Sequence, residues 1–211
     1  AWVDRFVNAP DCASRATHDG AHAFDYAATV WLRPPAHASA RALAEHFERA
    51  AQTGLHSRTW STSIWDGYFV PLKGYVNKEA LLSADALPFR PNTGAYLMLS
   101  EFFRHHDAEA EDTYRWYDQT RIPELLACKG AAGAWTFGGR AFFAPGRDLT
   151  KPTQRLTIVY LDGDPLAFAA DLAARNATRD TSTVEKILFA GPLRRIVPWQ
   201  WDWFDARGKA S

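Results

Sequence analysis

In the second half of the chain, apolar residues fall into short runs separated by turn residues, and their spacing switches between strand and helix periods. Ala95-Tyr96-Leu97-Met98-Leu99-Ser100-Glu101-Phe102-Phe103 is short, apolar and aromatic behind the turn-like Pro91-Asn92-Thr93-Gly94, which predicts a strand. Asp107 then stands where an N-cap would. Glu109, Glu111 and Asp112 follow where acids favour a helix dipole, so a helix is predicted over Ala108 to Arg121. On it Tyr114, Tyr117 and Arg121 share one face. Pro123 lacks an N–H and restricts Ile122, and so ends or bends that helix.

A second strand is expected from about Ala134 to Phe143, and the Pro- and Gly-bearing stretch Ala144 to Gln154 reads as a loop. Arg155 to Leu161 suits a buried strand, with Leu156, Ile158 and Tyr160 on one face and Thr157, Val159 and Leu161 on the other. Asp164-Pro165 is a helix start, with Leu166, Ala169, Ala170 and Ala173 as the expected apolar stripe. The last strand region runs from Val184 to Trp203, with breaks expected near Gly191-Pro192 and Pro198. The order strand, helix, strand, strand, helix, strand is that of a ferredoxin-like unit.

The first half echoes this plan. Trp2-Val3-Asp4 with Pro10 and Cys12 parallels Trp116-Tyr117-Asp118 with Pro123 and Cys128. A strand at Asp25 to Arg33, a helix at Ser39 to Thr53 with Leu43, Phe47 and Ala50 on one face, and Tyr68-Phe69-Val70-Pro71 follow in matching order. The expected fold class is therefore α+β, with two ferredoxin-like units at residues 1–90 and 91–211, the first beginning inside its first helix without an opening strand. A second register starts the first unit at Phe24, with a hairpin over Ser57 to Val76 and a short helix at Glu79 to Ala84.

Composition narrows the function classes. The 211 residues carry 24 Lys+Arg against 24 Asp+Glu, a net charge of zero with no long basic run, which argues against a nucleic-acid partner. No apolar run approaches the ~20 residues that span a bilayer, and no signal-peptide pattern opens the chain, so no membrane partner is expected. Two cysteines, Cys12 and Cys128, make neither a disulfide framework nor a complete Cys zinc site, which points to a reduced, cytoplasmic setting. Nine Trp, seven Tyr and thirteen Phe raise the aromatic share to 14%, and this surplus suggests a hydrophobic or aromatic small molecule as substrate. There is no Gly-x-Ser-x-Gly elbow, dinucleotide fingerprint or P-loop.

The run Trp116-Tyr117-Asp118-Gln119-Thr120-Arg121-Ile122-Pro123-Glu124-Leu125-Leu126-Ala127-Cys128-Lys129-Gly130 resembles the Trp-Tyr-Asp-x-x-His-Ile-Pro-Glu-Leu…Gly signature of EthD-like proteins in the dimeric α/β-barrel superfamily. The resemblance covers roughly residues 94–204, with a weaker tandem copy before it. It implies that two sheets bury their bare faces against each other, within one chain or in a homodimer, with a pocket between sheet and helices of each unit. The family's chemistries are diverse and include cofactor-free monooxygenases, cyclases, isomerases, dehydratases and haem proteins. Where the signature has His, this chain has Arg121, which stays protonated and cannot act as a neutral-pH base. Arg121 can instead hold a carboxylate, phenolate or enolate oxygen.

Several residues are candidates for a site. Asp118 and Arg121, three apart on a helix, are placed to pair. Tyr117 can donate its phenol or pack as core. Glu101, in an apolar strand, is a candidate general acid or base or an edge residue reaching solvent. His105 or His106 can enter a pocket as a proton shuttle. Trp116, Trp135 and Trp199 are candidate aromatic walls, and Trp199, Trp201 and Trp203 alternate onto one face as a pocket lining or a packing seam. His18 and His22 flank a turn, and no metal site is expected. Cys128 reads as a small buried hydrophobe. The functional expectation is a cofactor-independent enzyme moving a proton on a small hydrophobic or aromatic molecule, in an isomerase, cyclase or lyase type of step, with Tyr117, Arg121, Glu101 and His105 or His106 as catalytic residues and no cofactor. A haem- or oxygen-using enzyme and a non-catalytic binding protein are the alternatives.

Overall fold

The computed structural model describes residues 2–8, 26–32, 35–53, 69–79, 81–103, 108–139, 153–175 and 185–195. The elements are strands β1 (Trp2–Asn8), β2 (Tyr26–Trp31), β3 (Phe69–Val76), β4 (Gly94–Phe102), β5 (Ala131–Gly139), β6 (Thr153–Leu161) and β7 (Glu185–Arg195). Helices are α1 (Ala36–Gln52), α2 (Ala108–Trp116), α3 (Ile122–Leu126) and α4 (Pro165–Ala174), with a 3-10 turn at Ala84–Phe89. The fold is α+β. The strands form one antiparallel seven-stranded sheet in the order β2-β1-β7-β4-β6-β5-β3.

The predicted elements of the second half lie close to the observed ones. β4 pairs in unbroken register with β6, from Gly94 opposite Leu161 to Phe102 opposite Thr153. Asp164 caps α4 by accepting from the Ala167 N–H, and Pro165 takes the first turn, where its missing N–H costs nothing. The stripe that α4 buries is Pro165, Phe168 and Leu172 rather than the predicted Leu166, Ala169, Ala170 and Ala173, because Phe168 and Leu172, four apart, put two large side chains on one face and bury more apolar area than Leu166 with three alanines. β7 runs straight through Gly191-Pro192, contrary to the expected break. β1 pairs only with Leu193 to Arg195, so Pro192 has β4 beside it but no described partner on its other side, where a missing N–H is tolerated.

The first half departs further. Trp2–Asn8 is a strand, not the start of a helix, so its parallel with the helical Trp116-Tyr117-Asp118 does not extend to structure. Trp2, Val3, Phe6 and Val7 are strand formers, and pairing with β2 and β7 settles the conformation. Nor do the first-half strands build their own sheet: β1 and β2 extend the β7 edge, while β3 covers the β5 edge. The proposed hairpin over Ser57 to Val76 lies largely outside the described residues.

The sheet has two apolar faces. Period two sends Ala95, Leu97, Leu99, Phe137, Leu156, Ile158 and Tyr160 to one, here the inner face. Met98, Phe102, Ala134, Val159 and Leu161 go to the other, where Tyr117, Ile122, Leu125, Phe168 and Leu172 from the helices cover them. The inner face is buried by curling. Trp31 on β2 meets Phe137 on β5 edge-on with ring centroids 5.4 Å apart. In a flat sheet five strand spacings would hold those strands about 24 Å apart.

Candidate functional site

The feature that positions the site is a wide turn in the helix that follows β4. α2 gives way at Tyr117–Arg121 to a π turn, where the Ile122 N–H bonds back to the Tyr117 carbonyl, and α3 continues through Pro123 to Leu126. The sequence predicted an end or bend at Pro123. The wider turn absorbs a proline that has no N–H and whose ring would crowd a regular preceding turn. Through it, Tyr117 and Arg121 are buried, whereas Asp118 emerges beside the sheet.

Beside Asp118 lies a cleft of about 410 Å³, between α2 and the helix-covered face of the sheet near the β3 edge. Leu72, Lys73 and Tyr75 of β3, Thr136 of β5 and Arg155 of β6 face Tyr114, Arg115 and Asp118 across it. Tyr75 donates its hydroxyl to Asp118 Oδ1 at 2.5 Å, and Lys73 Nζ donates to Oδ2 at 3.1 Å. Burial alone would raise the Asp118 carboxyl. The hydrogen bonds from Tyr75 and Lys73, with the charges of Lys73 and Arg155, outweigh burial and hold it below its ordinary value. Burial, then the hydrogen bond to Asp118, pushes the Tyr75 phenol well above 10. At neutral pH the pair is therefore an ionised acceptor beside a neutral donor.

Arg155 closes the cleft from below. It is 6% exposed although it carries a permanent charge. Its guanidinium lies 4.2 Å from the Tyr117 ring centroid and 5.8 Å from that of Tyr114. Among the described residues its nearest carboxylate oxygen is Asp118 Oδ1, 3.9 Å from Nη2. Behind it, buried Tyr117 donates its hydroxyl to Glu185, itself 4% exposed. Burial first, and the Glu185 charge second, raise the Tyr117 phenol well above its usual range.

The sequence-predicted residues divide across the sheet. Tyr117, Arg121, Asp118 and Trp116 gather on the helix side, where Trp116 packs edge-on against Tyr117. Asp118 does not pair with Arg121 as the spacing suggested, because Lys73, Tyr75 and Arg155 engage it instead. Glu101 alternates with Met98, Ser100 and Phe102 and so lies on the opposite face from the cleft, with Gln154 and Lys186 as its strand neighbours. Trp135 is also on that inner face, half-buried beside Phe137, and donates its indole N–H to the Ala84 carbonyl at 2.7 Å. It therefore does not join Trp116 as a wall of one pocket. His105, His106, Trp199, Trp201 and Trp203 lie outside the described residues. Cys128 is buried, as expected, with its thiol raised first by burial.

Sequence reasoning missed Lys73, Tyr75, Arg155 and Glu185. The signal available was Arg155 itself, a charge on a strand where Thr157, Val159 and Leu161 share its face. Among the described residues no group of three or more His, Cys, Asp and Glu is arranged to hold a metal ion. No helix among them is long and apolar enough to cross a membrane. In comparisons with known proteins, no family model, no curated protein and no solved structure matches the chain.

Proposed function

We propose that the cleft is the active site of a cofactor-independent enzyme that moves a proton on a small aromatic molecule, as an isomerase, cyclase or lyase would. The observation that carries this reading is the Tyr75–Asp118–Lys73 hydrogen-bonded set in the cleft wall. A substrate carbonyl that takes over the single Tyr75 hydroxyl hydrogen from Asp118 presents its adjacent C–H to the freed carboxylate oxygen. The carboxylate takes the proton, and the electron pair of the broken C–H bond passes to the carbonyl oxygen, which Tyr75 and Lys73 stabilise. Returning the proton at another carbon completes an isomerisation. A ligand that displaces the half-exposed Lys73 ammonium removes one of the interactions that keep Asp118 weakly basic.

The EthD-like resemblance agrees with a pocket between helix and sheet. The order β4-α2/α3-β5-β6-α4-β7, with sheet neighbours β7-β4-β6-β5, supports reading residues 94–195 as a ferredoxin-like unit. The curled inner face favours the barrel type within that class. In this proposal Tyr117 positions Arg155 through its ring, and the proton-transfer role passes from the histidine position of the signature to Asp118.

The test is deuterium incorporation from D2O into a panel of small aromatic ketones and 1,3-dicarbonyls, followed by proton NMR. The unaltered protein should exchange at least one member, and Asp118→Asn should lower the rate by about 100-fold or more. Tyr75→Phe should lower it by about 10-fold or more, the cost of about 1.4 kcal/mol of oxyanion stabilisation. Exchange unaffected by Asp118→Asn would remove the assignment.

A further inference from the structure

We propose that the ligand of this cleft is a carboxylate-bearing monoanion whose carboxylate sits on the Arg155 guanidinium. The inference rests on the reading of the cleft as a ligand site and names the class of molecule it takes. Arg155 is the observation that carries it. The side chain is more than nine-tenths buried, lines the cleft, and has an Nε closed off from solvent with no hydrogen-bond partner among the described residues. Asp118 at 3.9 Å attracts it through space but is beyond hydrogen-bond reach. The Tyr117 and Tyr114 rings lie beside the guanidinium, 4.2 and 5.8 Å from centroid to Cζ, but a ring face does not replace a carboxylate or carbonyl oxygen as acceptor for its N–H groups. A buried guanidinium with an unused N–H is costly unless an acceptor completes it.

Charge bookkeeping within the cleft selects a single negative charge. Three cations line it: Lys73, Arg115 and Arg155. Lys73 is bonded to Asp118 at 3.1 Å, and Arg115 to Asp112 at 3.2 Å. Arg155 alone of these three has no hydrogen-bonded carboxylate among the described residues. A monoanion therefore balances the cleft, while a dianion would set surplus negative charge beside the ionised Asp118. The planar fork of an arginine matches the two oxygens of a carboxylate, and Leu72, Tyr75 and Tyr114 offer apolar and aromatic surface to the rest of the molecule.

Benzoate is the probe, with benzamide as its uncharged counterpart and inorganic phosphate, mostly dianion at about pH 8, as the doubly charged one, titrated at that pH by calorimetry and by the arginine Nε–H resonances of the full chain. Benzoate should bind saturably and shift one buried arginine Nε–H, with benzamide and phosphate at least tenfold weaker. Arg155→Gln should weaken benzoate at least tenfold, whereas Asp118→Asn should leave it as tight or tighter. Benzamide or phosphate binding as well as benzoate, unaltered benzoate affinity in Arg155→Gln, or no saturable benzoate binding would each overturn the proposal. The comparison of benzoate with benzamide uses only the unaltered protein, so it does not depend on the variant folding. Failure here with Asp118-dependent deuterium exchange intact removes the carboxylate anchor alone. Benzoate binding without such exchange supports the anchor and removes the enzyme.

Discussion

Asp118 owes the lowering of its pKa, against the opposing effect of burial, to residues that reach it from two other elements: Lys73 and Tyr75 from β3, and Arg155 from β6. Because its folded-state pKa is depressed below the ordinary 3.8, its contribution to stability is complete above that value. That contribution is lost as pH falls through the lower folded-state value. Urea unfolding should therefore show the unaltered protein losing more stability than Asp118→Asn between pH 5 and pH 2. Equal losses would mean that the carboxylate gains nothing from its partners. The effect is modest, since Asp118 and Lys73 both keep contact with water. None of this was legible locally. Positions 73, 75, 118 and 155 share no one sequence window; of the four, Asp118 was a candidate through its place in the Trp116-Tyr117-Asp118 run, and the odd placement of Arg155 in an apolar strand was a further hint.

At the scale of elements, the π turn decides which residues meet. A helix pattern read from the sequence puts Tyr114, Tyr117 and Arg121 on one face, and the latter two are indeed buried. The pattern carried no sign of an extra residue in the turn, because the requirement comes from Pro123 and from packing on the sheet. β3, opposite, is held against β5 at a close approach: a Cβ added at Gly133 would lie 2.6 Å from the Tyr75 carbonyl oxygen and 2.5 Å from Leu87 Cδ1. Gly133→Ala should accordingly cost about 1–3 kcal/mol in denaturant unfolding and push Tyr75 away from Asp118. A variant as stable as the parent would show that β3 is free to move there. Strand β4, the Asp164-Pro165 start of α4 and the central run of β6 were legible because each is specified by its own few residues. β1 was not: its conformation depends on pairing with β2 and β7, which lie elsewhere in the sequence.

For the molecule as a whole, the two faces of one sheet do different work. Curling buries the inner face, where Trp31 closes on Phe137 and Trp135 packs beside it, so part of the aromatic surplus in the sequence is architecture. The helix-covered face holds the cleft, with its charges and tyrosines. Expecting two separate sheets was natural from two similar runs of elements, but strand edges pair with whichever edge is open, and both edges of the central strands took up first-half strands. Period two along β4 then separates Glu101, the carboxylate that the sequence offered as a general acid or base, from Asp118, which it offered as a partner for Arg121. The most direct measurement is thus a side-by-side comparison of deuterium exchange into the aromatic ketone panel by the unaltered protein, Asp118→Asn and Glu101→Gln. Asp118→Asn should lose about 100-fold or more, while Glu101→Gln should keep a rate within about twofold of the parent. Full exchange in Asp118→Asn, or its loss in Glu101→Gln, would contradict Asp118 as the proton acceptor.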